Sequence, residues 1–198
     1  MEKLDKCRVC RRVGEKLFLK GDKCSLPSCP VAKRPYAPGQ TGAKGSRRKA
    51  SDYSKQLLEK QKARAIYGIS EKQMANYFKE ARKMRHSTGT ELINILESRA
   101  DNMVYRAGFA RSRSEARQMV VHGNIVLNNR KIKSPSLKLK VGDSVKVNLK
   151  NLPEVNKEVA SWITTKKGSN EFTVNDVAVI DNATQAFNIQ LIIEFYSR

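Results

Sequence analysis

Residues 96–132 read LESRADNMVYRAGFARSRSEARQMVVHGNIVLNNRKI, a stretch in which helical spacing gives way to alternation. Just upstream, Thr88 and Glu91 have the spacing of a capping box, and Leu92, Ile95, Leu96 and Val104 share one helical face. A helix is therefore predicted to run from there toward Gly108. Ser112 and Glu115 open a second, shorter helix whose Ala116, Met119 and Val120 face the first, and Gly123 supplies its stop. A strand is expected at 125–127, then a turn at Asn128-Asn129, where positive φ is tolerated, and a return through Ile132. Leu137, Leu139 and Val141 alternate, Gly142-Asp143 turns, and Val145, Val147 and Leu149 alternate again. Residues 88–150 thus predict a helix pair on a small, curled antiparallel sheet.

Arg111, Arg113 and Arg117 fall at the start of the second of these helices. Unpaired backbone N–H groups and the positive end of the dipole already favour phosphate there. Arg106, Arg130, Lys131 and Lys133 extend the basic patch, and His122 stands at the helix end as either a helix-terminal histidine or a further contact of that patch.

Working outward, two helices are expected over 51–87. The first carries Leu57, Leu58, Ala65 and Ile66 inward with Lys55, Lys60, Lys62 and Arg64 outward, and stops near Tyr67-Gly68. The second opens on a Ser70–Gln73 capping box and repeats Met74, Tyr77, Phe78 and Ala81. Before them, residues 33–50, KRPYAPGQTGAKGSRRKA, are too rich in Pro, Gly and charge to pack a core. They read as an arm that orders on a nucleic acid, with Lys33, Lys44, Arg47, Arg48 and Lys49 on phosphates and Tyr36 available to stack.

All four cysteines lie near the N-terminus: Cys7, Cys10, Cys24 and Cys29 form two close pairs joined by a loop, the arrangement of a tetrahedral Cys₄ zinc site. Lys6, Arg8, Arg11 and Arg12 would offset the charge of a tetrathiolate centre. Two disulfides, a redox pair and plain thiols are the competing readings. A redox pair needs a surrounding βαβ pattern and disulfides a secretory context, neither of which the sequence offers. Four sulfur ligands leave no open coordination position, so one structural Zn²⁺ is expected, folding a segment too polar to build its own core.

The 39 Lys+Arg against 19 Asp+Glu give a net charge of +20, well beyond what solubility requires and consistent with a polyanionic partner. Residues 1–150 carry net +22 and residues 151–198 net −2, so the tail reads as a structural, protein-contacting segment that packs back on the helical domain. No apolar run reaches a membrane span and no signal-peptide pattern opens the chain, which points to a cytosolic or organellar-matrix protein with no membrane partner.

The pattern Gly108-Phe109-Ala110, Ser112-Arg113, Ala116-Arg117, Val120 or Val121, His122-Gly123 resembles the S4-type RNA-binding domain. KRPYAPGQTG, EKQKARAIYGISEKQ and the closing IIEFYSR resemble the flanks of one family, that of small-subunit ribosomal protein four, across nearly the whole chain. The resemblance implies an α+β protein: a zinc-bound segment with a basic arm (1–50), a helical domain (51–87), an RNA-binding domain (88–150) and a C-terminal segment ending in a strand (151–198). It implies direct binding to small-subunit ribosomal RNA at a multi-helix junction of the five-prime domain, a role in early assembly, and a cytoplasmic or organellar ribosome. Ribosomal protein five and messenger RNA near the entry channel are the implied neighbours, with repression of its own synthesis a further implied activity. The expected RNA contacts are Arg8, Arg11, Arg12, Lys55, Lys62, Arg64 and Tyr67, the residues of the arm, and Arg111, Ser112, Arg113, Arg117, Gln118, His122, Gly123, Asn124 and Arg130.

Two other classes compete. RNA-modifying enzymes carry the same small domain as an accessory, but they need a catalytic domain, and no phosphate-binding Gly loop or acid/base set is visible for any small-molecule substrate. A free messenger-RNA regulator could coexist with the ribosomal role.

Overall fold

The computed structural model describes residues 5–39, 42, 51–84, 86–149, 159–165, 169–177 and 186–198. The chain divides into two compact units, one of residues 1–76 with 182–198 and one of residues 77–181. Among the described residues, no helix is long and apolar enough to cross a membrane.

In the first unit, helix α1 (Lys6–Val13) starts because the Asp5 carboxylate accepts the N–H groups of Cys7 and Arg8, and it ends at Gly14 with φ +85°. A 3₁₀ turn (Gly21–Cys24) and the short α2 (Pro30–Lys33) follow. Helix α3 (Asp52–Tyr67) is capped by the Ser51 hydroxyl and stopped by Gly68 in the left-handed region.

The inward face of α3 departs from expectation. Lys60 and Lys62, predicted to point outward, are buried at 5% and 6% exposure, while Leu57 and Leu58 are only half-buried. The lysine stems fill space and their ammonium groups end on carboxylates: Lys60 on Glu71 at 2.7 Å, Lys62 on Glu15 at 2.7 Å and Glu59 at 3.8 Å.

The closing residues are a helix, α8 (Ile189–Tyr196), and not the strand that the resemblance implied. Asn188 caps it by accepting the N–H groups of Gln190 and Leu191, and it packs along α3. Gln56 donates to Glu194, and the Asn188 N–H donates to Glu59, fixing that contact. Among the described residues the first unit has no strand to pair with one there, whereas a helix satisfies its own backbone.

Helix α4 (Glu71–Arg82) opens on the predicted box: the Gln73 N–H donates to Ser70 Oγ at 3.2 Å and the Ser70 N–H to Gln73 Oε1 at 3.1 Å.

In the second unit the single helix expected from Thr88 is two, α5 (Thr88–Glu97) and α6 (Ala100–Arg106). Ser87 occupies the cap of α5 without a side-chain bond, so the Thr88–Glu91 box does not form. The break comes where Arg99 adopts extended backbone and bridges Lys138; Ala100 N–H donates to Leu137 O and Leu139 N–H to Ser98 O, both at 2.8 Å. The alternation at Leu137–Val141 therefore serves this splice instead of a strand. Helix α7 (Arg113–Val121) follows.

Strands β1 (Ile125–Leu127), β2 (Arg130–Ile132), β3 (Ser144–Val147), β4 (Ile163–Thr165) and β5 (Glu171–Val174) form one antiparallel sheet in the order β2-β1-β3-β5-β4. The hairpin turn at Asn128 and Asn129 has φ +44° and +68°. Helices α6 and α7 cover the sheet through Met103, Val104, Phe109, Met119, Ile125, Val145 and Phe172. Because β4 and β5 complete this sheet and bury Trp162 and Phe172, residues 151–198 do not act as one segment: only the end, from 182, belongs with α3.

Candidate RNA interface

The four cysteines carry no disulfide; Cys10, Cys24 and Cys29 are buried and Cys7 is half-buried. The Lys20 N–H donates to Cys24 Sγ at 3.4 Å. Burial pushes the Cys10 thiol up from its ordinary pKa, and the nearby thiols of Cys24, Cys7 and Cys29 add to it. Lys20 is raised by its hydrogen bond to Cys7. The thiols are thus electrostatic neighbours, yet among the described residues no group of three or more Cys, His, Asp or Glu side chains is arranged to hold a metal ion.

At the α7 start, Ser112 Oγ accepts the Glu115 N–H at 3.3 Å, while Glu115 Oε2 accepts the Arg111 N–H at 2.7 Å. The box is closed one residue earlier than its usual form. Arg111 is exposed, but Arg113 is only 19% exposed along its side chain. Its Nε donates to Asn102 Oδ1 at 2.7 Å, and its guanidinium lies 4.5 Å from the Tyr105 ring centroid. Arg117, 30% exposed, donates to Asp101 Oδ2 at 3.3 Å.

Beneath these lies a buried polar layer. Glu97, fully buried, receives a two-pronged bond from Arg106 (Nε and Nη2, each 2.9 Å) and a bond from Asn102 Nδ2 at 2.7 Å. Asp101 receives Nε and Nη2 of the fully buried Arg99 at 3.0 and 2.6 Å. Burial opposes the Arg99 charge, but the bond and charge of Asp101 outweigh it and hold Arg99 above its ordinary pKa. The sequence reading missed Glu97, Asp101 and Asn102; their trace is a run of polar residues interleaved with the apolar face of Leu96, Met103 and Val104.

Past α7, His122 is exposed and Gly123 turns with φ +73°. A Cβ on Gly123 would sit 3.5 Å from Lys131 and 3.6 Å from Lys133 methylenes, so two lysine stems cross this turn.

Residues 3–97 match the family model for the ribosomal protein S4/S9 N-terminal domain, and residues 98–145 match that for the S4 domain. The "Small ribosomal subunit protein uS4" of Desulfovibrio desulfuricans is 46% identical over 98% of this chain and 97% of its own length. That of Thermus thermophilus is 45% identical over 97% and 96%, and that of Geobacter sp. is 44% identical over the same shares. The chain belongs to the ribosomal protein S4 family.

Against the expected set for an S4-family protein, Arg8, Arg12, Lys33, Lys55, Gln118 and Arg130 are exposed, and Asn124 is half-buried. Tyr36 is 39% exposed and carries Arg11 over its ring at 5.0 Å; Arg11 Nε also donates to the carbonyls of Arg34 and Tyr36, so Arg11 braces the base of the arm. Three expected contacts have partners within the first unit: Lys62 is buried on Glu15 and Glu59, Tyr67 is buried edge-on to Phe187, and Arg64, 24% exposed along its side chain, spans Gln61 and Glu71. Lys44, Arg47, Arg48 and Lys49 lie outside the described residues.

Proposed function

We propose that the protein is a structural component of the small ribosomal subunit that binds small-subunit ribosomal RNA directly. The observation that carries this reading is the α7 start, where Arg111, Arg113 and Arg117 gather at a capped helix N-terminus beside Arg106, a geometry suited to a phosphate backbone. A-form RNA hides its major-groove edges and is recognised by phosphates, 2′-hydroxyls and shape, which a broad basic face suits. Relatives that match over 96–97% of their own length carry ribosomal-protein names, which favours this reading over an enzyme bearing the small domain as an accessory. Those named relatives are bacterial, which favours a cytoplasmic ribosome.

The finer proposal takes the RNA target to be a multi-helix junction of the five-prime domain, bound early in assembly. It takes ribosomal protein five and the messenger RNA entry channel as neighbours, and translational repression as a further activity; the family resemblance supports each. One structural Zn²⁺ on Cys7, Cys10, Cys24 and Cys29 belongs to the same proposal. Four thiols outside disulfides, three of them buried, are the donor type a tetrahedral zinc site takes, and binding would draw them together, since as they stand the described residues form no metal-holding group. The test is filter binding of the full chain to a junction-containing five-prime-domain fragment against an unrelated structured RNA of equal length. Preference for the fragment supports the reading, and equal affinity for both overturns it.

A further inference from the structure

We propose that Glu97, Asp101 and Asn102 are positioning residues for RNA recognition: buried acceptors that fix the guanidiniums of Arg106, Arg113 and Arg117 on the face that RNA meets. The inference rests on the RNA-binding reading above. The three acceptors are 0%, 3% and 1% exposed, while the arginines they hold keep 31%, 19% and 30% of their side chains open. Each arginine is therefore anchored inside the unit while part of its side chain stays open to solvent. Arg113 shows the design most fully: Asn102 Oδ1 takes its Nε, Glu97 lies 3.9 Å from its Nη2, and Tyr105 lies against its plane.

Asp101 balances the buried Arg99 charge as well, but stability alone does not call for the Glu97 pairing, since replacing a buried ion pair by well-packed apolar residues is often neutral or stabilising. What the carboxylates add is a fixed geometry. An arginine on a bare surface loses side-chain freedom when it binds a phosphate, whereas one already held in place does not. Asn102 ties the layer together, donating to both the Glu97 carbonyl (3.0 Å) and carboxylate (2.7 Å) while accepting from Arg113.

The idea makes a prediction of sign. Glu97→Gln is nearly isosteric and raises the net charge by one, so binding through diffuse charge would tighten. Positioning predicts the reverse: affinity of the full chain for the folded small-subunit RNA fragment falls about tenfold, from two freed arginines, while affinity for poly(U) is unchanged or rises. Arg113→Lys keeps the charge, and it is expected to reproduce the loss on the fragment even if the first variant fails to fold. Glu91→Gln, which adds the same charge six residues before Glu97 on the same helix, leaves the fragment affinity unchanged or slightly tighter. Unchanged or tighter binding of both RNAs by Glu97→Gln overturns the proposal in favour of diffuse charge. Parallel losses on both RNAs with a lowered unfolding temperature overturn it in favour of a purely structural role. A wild-type chain that does not prefer the fragment to poly(U) overturns the RNA-binding reading itself and the inference with it.

Discussion

Lys60 Nζ of α3 donates to Glu71 Oε1 at the first residue of α4, 2.7 Å away, while the same ammonium stands 4.2 Å from the Phe195 ring centroid of α8. Tyr196 donates its hydroxyl to the same carboxylate oxygen at 3.1 Å, and Arg64 reaches the other oxygen at 2.9 Å. One half-exposed carboxylate thus ties three helices of the first unit together.

Glu71→Gln is expected to destabilise the first unit by roughly 1–3 kcal/mol, less than the 3–5 for breaking a fully buried pair because Glu71 stays 46% exposed. Burial raises the Glu71 pKa, but the bond and charge of Lys60, with Tyr196 and Arg64, hold it below its ordinary value. A depressed carboxylate contributes its stability above its unfolded pKa and loses it as pH falls through the folded one. Urea unfolding between pH 7 and pH 3 should therefore show the wild type losing more stability than Glu71→Gln; equal acid sensitivity would contradict this.

Arg111 and Arg113 should separate under substitution although they are two residues apart. Arg111→Ala, at an exposed side chain, is expected to weaken RNA binding with the smaller effect on stability, whereas Arg113→Ala loses its Asn102 bond and Tyr105 contact and lowers the unfolding temperature further. If about 6–10 phosphates are neutralised, wild-type affinity falls on the order of a thousandfold or more between 50 and 200 mM salt, by the duplex relation. The log–log slope should become shallower by roughly one unit or less for Arg111→Ala. A triple change at Lys157, Lys166 and Lys167 should do much less, and an equal effect there would favour diffuse charge.

Elemental analysis of reduced protein is expected to find one zinc per chain. Cys10→Ser, at a buried position, should lose the metal and lower the unfolding temperature of the first unit only. Unchanged metal content in that variant would exclude the four-thiol site.

Phe172 is 1% exposed and stacks on Phe109 at a centroid separation of 5.8 Å. Phe172→Ala should cost the second unit about 3–5 kcal/mol. The single Trp162, 8% exposed in the same core, reports it: native emission should be blue-shifted and poorly quenched by iodide, and the unfolding midpoint should drop in the variant. Emission typical of exposed indole in the native wild type would contradict this packing.

Local spacing by itself determined the Ser70–Gln73 box, the stop at Gly68, the Asn128-Asn129 turn and the helix at Ser112, because each is settled by residues within about four positions. Charge counting separated the basic body from the acidic tail in the same way. The tertiary structure alone decided which way a long side chain faces and what a short apolar run becomes. Helical spacing cannot tell an outward lysine from Lys60 or Lys62, since burial of an ammonium depends on carboxylates at Glu71 and Glu15 brought from other elements. Residues 189–196 suit helix or strand by composition, and contact with α3 selects the helix. The break at Arg99 depends on backbone pairing with Leu137–Leu139, some forty residues on. The arginine layer likewise needs Glu97, Asp101 and Asn102 folded beneath α7, a non-local arrangement on which the short-range pattern of the chain is silent.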